Sequence, residues 1–453
     1  RENDLRNDGE GAATVRARSK ILAAALTLVL LAAPARAQQL QLIRDAEIEA
    51  TIAALARPIF ESAGITPSGV DIYLVNDDRL NAFVAGGQNL FLFTGLLMRA
   101  EDPEQLAGVI AHEAGHIAGG HLVRMADAAE NAAVEQILGM VLGAAAAVAG
   151  APQVGGAIAM GGQGLAQQSM LSYSRSQEQA ADQAAVTYLE RTGIGAAGLR
   201  DFFEILDQRR LLSGAQPTPY LQTHPLTRDR ITFVARHADG DASGVDAATR
   251  ERHARMVAKL EGFLEPPAQI RQELAGEDGI AARYGHAVAT YRLNDVPGAL
   301  REVRALIEAE PDNPYFHELE GQILFESGQV EAAVAPYREA VRLAPDQALL
   351  KLGLGRALME SGRPADAAAQ LEAVVRAEPR NAFAWRTLGI ARGRAGDLGA
   401  SNLALAEAAI LQRQLDDAGL YLARAEERVS SGSQRQQLAD LERALEDARD
   451  RRR

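Results

Sequence analysis

Glycine and proline recur through the C-terminal half of the chain with one spacing. Pro311, Pro345 and Pro379 lie 34 residues apart, as do Gly321, Gly355 and Gly389, and again Gly328, Gly362 and Gly396. Three columns sharing one period mark a repeat array, because each short unit cannot bury its apolar face alone and must stack on the next. In "NPYFHELEGQILFESGQVEAAVAPYREAVRLAPD" the small Gly321 and Ala333 let two helices approach, Tyr337 and Ala340 pack behind them, and Pro345 ends the second helix. The next unit repeats the scheme with Leu354, Gly355, Ala367 and Pro379. A third opens with Trp385, Leu388 and Gly389 and then decays, keeping Ala408. A weaker one near 280–312 keeps Ala299 and Pro311 but lacks the helix-contact glycine. The expectation is an α-solenoid over 265–430, with a charged helical tail over 431–453.

These units resemble tetratricopeptide repeats, whose stacked hairpins offer a concave surface to other proteins. The solenoid has no catalytic constellation of its own, so any chemistry belongs to the residues before it. The whole chain has 453 residues and a formal net charge of -13, which argues against nucleic acid as a partner. Cysteine is absent, which excludes disulfides and thiolate metal sites. Near the start, Arg16, Arg18 and Lys20 precede a mostly apolar run. Ala35 and Ala37 then supply the small residues of a signal-peptidase site. Cleavage after Ala37 and export are expected, so 1–37 stands outside the fold and 38–262 forms the domain before the solenoid.

The stretch "AGVIAHEAGHIAGGHLVRM" over 107–125 holds three of the eight histidines. Asp102 can cap a helix that begins at Pro103, and Leu106, Val109 and Ile110 face a core. On that helix His112 and His116 lie about 40° apart on one face, so both imidazoles can reach one ion. An H-E-x-x-H string arises by chance in roughly one chain of this kind in a hundred, so context has to support it. A metal site of this type needs a third ligand and a carboxylate beside the open position, and Glu113 supplies the carboxylate. His121 is one residue out of register for the H-E-x-x-H-x-x-G-x-x-H pattern, whose last histidine would fall where Leu122 stands. A continuing helix would turn it about 140° from His116, so an indirect or structural role is expected of it.

The better third ligand lies in "SYSRSQEQAADQAAVTYL". Glu178 and Asp182 are one turn apart, flanked by Ala180, Ala181, Ala184 and Ala185, which allow close packing on another helix. A glutamate ligand with an aspartate one turn later, orienting a histidine ligand, is a common way to complete such a site.

Two further segments bear on substrate and membrane. In "GGQNLFLFTGLL", Asn89, Leu90, Phe91 and Leu92 alternate between faces and form a candidate edge strand for binding substrate backbone, with a buried core strand as the alternative for the side chains. Residues 133–171 are apolar, small and glycine-rich but broken at Pro152. The favoured reading is a helical hairpin shielding the site or touching a partner, and peripheral membrane contact, if there is any, falls there.

HEAGH, "SRSQEQAAD", "NAFVAGGQNLFLFTGLL" and "THPLTRDRI", together with the repeats, resemble the BepA-type periplasmic zinc metalloproteases, relatives of the HtpX and CAAX-prenyl peptidases. That resemblance implies a mainly α fold with a small β element, an H-E-x-x-H metalloprotease domain followed by a tetratricopeptide solenoid. It implies one zinc per chain held by His112, His116 and Glu178, with Glu113 as general base. It also implies that His224 can occupy the open fourth position and hold the enzyme closed. Arg230, or equally Arg228, could anchor the loop of His224 by pairing with a carboxylate. The implied setting is periplasmic quality control of unfolded or misassembled outer-membrane proteins, with the repeats meeting the assembly machinery. The competing class is an assembly scaffold or chaperone with little proteolytic activity.

Overall fold

The computed structural model of the chain describes residues 41–121, 124, 174–212, 219–238 and 244–451. The export signal expected before residue 38 and the stretch 133–171 lie outside the described residues. The first part holds strand β1 (Leu42–Ile43), helix α1 (Ala46–Ser62), strands β2 (Asp71–Val75), β3 (Ala82–Ala85) and β4 (Asn89–Phe93), and helices α2 (Thr94–Arg99) and α3 (Pro103–Ala118). It continues with α4 (174–192), α5 (Ala197–Leu212), α6 (Pro219–Thr223), α7 (Arg228–His237) and α8 (Ala247–Leu264).

The sheet runs β1-β2-β4-β3, with β2 and β4 parallel and the outer pairs antiparallel. Period-two alternation sends Leu90 and Leu92 into the core and leaves Phe91 stacked between Tyr73 and Phe83, at 5.0 and 4.8 Å between ring centroids. The free edge expected at Asn89, Leu90, Phe91 and Leu92 is therefore corrected: β4 is paired on both sides, and the edges are β1 and β3. Alternation along a strand fixes which face each side chain takes but says nothing about its neighbours. Here the β3–β4 hairpin turns β4 back alongside the earlier β2.

Helix α3 begins where the Asp102 carboxylate accepts from the Gln105 amide at 2.9 Å, and it is buried from Gln105 through His116. Such burial needs small residues where neighbours press closest. A Cβ on Gly108 would lie 2.7 Å from Leu199 of α5, and one on Gly115 would lie 2.8 Å from the Ala181 carbonyl of α4. The alanine-rich helix over 174–192 thus packs directly on the HEAGH helix, bringing Glu178 against the two histidines.

The solenoid comprises α9 (Pro267–Glu273), α10 (Ile280–Arg292), α11 (Val296–Ala309), α12 (Pro314–Glu326), α13 (Val330–Leu343), α14 (Ala348–Glu360), α15 (Pro364–Ala377), α16 (Ala382–Arg394) and α17 (Leu398–Leu411), then α18 (Leu415–Glu426) and α19 (Gly432–Asp450). The glycine columns have two separate causes. A Cβ on Gly321 would lie 2.8 Å from the Tyr337 ring, whereas Gly328 takes φ +82° in the turn between paired helices. The charged tail expected after Ser431 is a packed helix: a capping box of Ser431 and Gln434 starts α19, and Leu438, Leu441 and Leu445 join the core of α17 and α18. The two parts share α8, whose Met256 and Leu260 complete the first core while its Gly262 packs against Gly285 of α10.

Candidate metal centre

Four side chains from three elements meet beneath the sheet. His112 and His116 come from α3, Glu178 from α4, and His224 from the turn that ends α6; their donor atoms all lie within 4.8 Å of one another. His112 Nε2 stands 3.1 Å from His116 Nε2, 3.4 Å from Glu178 Oε2 and 3.4 Å from His224 Nδ1. Glu178 Oε1 is 3.4 Å from His116 Nε2 and 3.2 Å from His224 Nδ1. Tetrahedral ligands with bonds of about 2.0–2.2 Å lie about 3.3–3.6 Å apart, so these separations suit one small cation.

The outward atoms of the cluster say the same. His112 Nδ1 lies 2.9 Å from the Asp182 carboxylate, which can accept its hydrogen bond and so turns Nε2 toward the cluster. His112 Nε2 and His116 Nε2, at 3.1 Å, are close enough to share a proton, or a cation in its place. Burial disfavours a charged His112, yet the hydrogen bonds that its ring nitrogens donate to the Asp182 and Glu178 carboxylates outweigh it and push the imidazole up to about 9. Burial likewise works against ionised Glu178, but hydrogen bonds from His112, His116 and His224 hold it well below the usual carboxylate range. The pocket is built to attract a cation.

Asp182 and Arg230 frame this group. The Arg230 guanidinium donates to Asp182 at 2.6 and 2.9 Å, and its Nη1 lies 2.8 Å from Glu178. The same Nη1 donates at 2.9 Å to the Pro225 carbonyl, so one side chain joins the loop of His224 to the helix of Glu178. Arg230 is 2% exposed, whereas Arg228 points to solvent, which resolves the choice between them. Glu113 is fully buried and both its carboxylate oxygens lack hydrogen-bond partners; His224 Nε2 lies 3.5 Å from Oε1.

Two participants, Tyr220 and Gln177, escaped the sequence reading. Tyr220 stacks on His224 at 4.7 Å between centroids, and its carbonyl accepts from the His224 amide at 2.7 Å. An aromatic four residues before the histidine was the available signal. Gln177 Nε2 donates to the His121 carbonyl at 3.0 Å. His121 itself is buried, with Nδ1 at 2.9 Å from His116 Nδ1. Asn89, Leu90, Phe91 and Leu92 remain in the sheet and do not join the cluster.

A buried H-E-x-x-H helix with a glutamate brought to it from a second helix has the donor set expected of a metallopeptidase centre, here attached to an α-solenoid. Residues 42–238 match the model of Peptidase family M48, and 284–348 and 324–389 match tetratricopeptide repeat models. The chain therefore carries a family M48 peptidase domain followed by tetratricopeptide repeats, and that family implies a metal cofactor. Curated relatives include a beta-barrel assembly-enhancing protease of Escherichia coli O157:H7, 28% identical over 65% of this chain and 61% of that one. Its namesake from Yersinia pestis is 29% identical over 65% of this chain and 62% of that one. The metalloprotease LoiP of Escherichia coli K12 is 26% identical over 44% of this chain and 73% of that one. The match to the first two spans about three-fifths of their length. No helix among the described residues is long and apolar enough to cross a membrane.

Proposed function

We propose that the chain is a zinc-dependent endopeptidase of the periplasm that removes unfolded or misassembled outer-membrane proteins, with the repeats engaging substrate or assembly partners. The observation that carries this reading is the donor set itself: three buried imidazoles and one carboxylate within 4.8 Å, beside an unpaired buried glutamate. His112, His116 and Glu178 would hold the ion. Zinc, when bound, makes a water acidic enough to attack at neutral pH and polarises the scissile carbonyl. Glu113 accepts the proton of the attacking water as its oxygen joins the carbonyl carbon, then delivers that proton to the amine as the C–N bond breaks. Asp182 keeps His112 oriented, and Arg230 fixes Glu178.

His224 sets the resting state. Its ring lies between the three other donors and Glu113, where attacking water and base would have to meet. This supports a closed enzyme that opens when the Tyr220–Pro225 segment withdraws. Substrate backbone can pair with an edge strand, and β3, which contacts α6, is the edge on the side of His224. The names of the relatives and the expected export signal support an envelope setting.

The test is zinc content and casein digestion on wild type and Glu113→Gln. Full zinc occupancy with proteolysis lowered about 10²–10⁴-fold is expected, since the base is not a ligand. Activity surviving at a tenth of wild type would refute the role of Glu113. A chain without zinc or proteolysis would favour the scaffold reading.

A further inference from the structure

We infer that His121 is a positioning residue that holds His116 in its metal-binding orientation through an imidazole–imidazole hydrogen bond. The inference rests on the metal reading above and adds a residue to it. His116 turns Nε2 toward His112 and Glu178, at 3.1 and 3.4 Å, and Nδ1 away from them, at 2.9 Å from His121 Nδ1. A ligating imidazole whose Nε2 faces the ion carries its proton on Nδ1, and that proton needs an acceptor. For His112 the acceptor is Asp182; for His116 it is the neutral imidazole of His121.

The chain spends several residues on bringing His121 there. It is five positions after His116, so a continuing helix would point it elsewhere. Instead α3 ends at Ala118, and Gly120 adopts φ +61°, which folds the chain back over the helix end. Gly119 leaves the space that the returning ring fills: a Cβ there would lie 2.4 Å from His121 Nε2. Gln177, one residue before the glutamate donor, holds the His121 carbonyl at 3.0 Å. His121 therefore links the end of the HEAGH helix to the start of the helix that bears Glu178. A neutral acceptor suits this place, because a further carboxylate beside Glu113, Glu178 and Asp182 would add uncompensated negative charge.

The experiment measures zinc affinity of the full chain by competition with a chromogenic chelator, alongside the melting temperature of the zinc-free protein. His121→Phe keeps the bulk and removes the acceptor, and should weaken zinc binding about 10–100-fold. His121→Asn restores an acceptor close to Nδ1 and should recover most of that loss. Gly119→Ala leaves His121 in place but displaces its ring, and should weaken zinc in the same direction while the zinc-free melting temperature holds. Unchanged zinc affinity in His121→Phe overturns the inference. Equal losses in His121→Phe and His121→Asn, tracking a lowered zinc-free melting temperature, also overturn it by making the residue merely structural. A wild-type chain that binds no zinc overturns the metal reading, and this inference falls with it.

Discussion

The molecule buries two charged clusters, and they differ in what completes them. At the centre between α3 and α4, donor atoms point inward at one another and Glu113 meets only a histidine nitrogen at 3.5 Å among the described residues. At the junction of the two parts, Lys259 of α8 reaches Asp45 at 2.8 Å and Glu47 and Glu318 at 3.7 Å. Arg255 lies 3.1 Å from Glu47 and 6.0 Å from the centre of the Phe316 ring. Each of these three acids has a lysine or arginine nitrogen of this chain within 4 Å. The junction pairs its acids with cations of this same chain and fastens α1 and α8 to the repeat helix α12. The centre has acceptors in excess, which is the physical difference between a structural ion cluster and a site awaiting a cation.

The sharpest way to separate them is to break the junction. Lys259 is 2% exposed, and Lys259→Met leaves three acids without their shared cation. Removing one partner of a buried ion pair costs about 3–5 kcal/mol. Denaturant unfolding should register a loss of that order, while zinc content of the folded fraction stays at the wild-type level. Zinc lost in parallel would mean that the two clusters are one energetic unit.

How much of this was legible follows from range. His112, Glu113 and His116 announce themselves through spacing on one helix. Glu178 and Asp182 are found by the same one-turn rule, and proline marks the loop of His224. Local rules stopped where the outcome depended on a distant neighbour. Nothing in "NLFLF" says that β2 will pair along β4 and take its free edge. Lys259 and Arg255, in "RERHARMVAKLEG", have the composition of a solvated face and are buried only because α1 and α10 both press on α8. His121 was half legible: its poor helical register was plain, but the return over Gly119 and Gly120 needed the backbone.

A smaller effect is expected where the centre is complete but closed. His224→Ala removes the fourth donor and leaves His112, His116 and Glu178 untouched, so basal casein digestion and self-cleavage should rise several-fold. Loss of activity together with zinc would make His224 a structural ligand instead. No change in either would leave it without a role in gating.

The smallest expected effect is a pH slope, and it belongs to the junction. Burial raises Glu318, Lys259 pulls against that, and Asp45 and Glu47 push it further up, leaving it at about 7 against an ordinary 4.5. Asp45 and Glu47 face it from the start of α1, Lys259 from α8 and Tyr284 from α10. The folded chain thus keeps a proton on Glu318 at pH values where the unfolded chain has released it. Stability from this group is fully present below about pH 4.5 and is lost as pH rises through about 7. Glu318→Gln is neutral throughout and removes that dependence without touching the metal centre, whose own titrations cancel when variant and wild type are compared. Between pH 5 and pH 8 the denaturant midpoint should therefore fall further for wild type than for the variant. Equal falls would mean that Glu318 is ionised in both states at pH 5, so that the junction, unlike the centre, carries no residual need for positive charge.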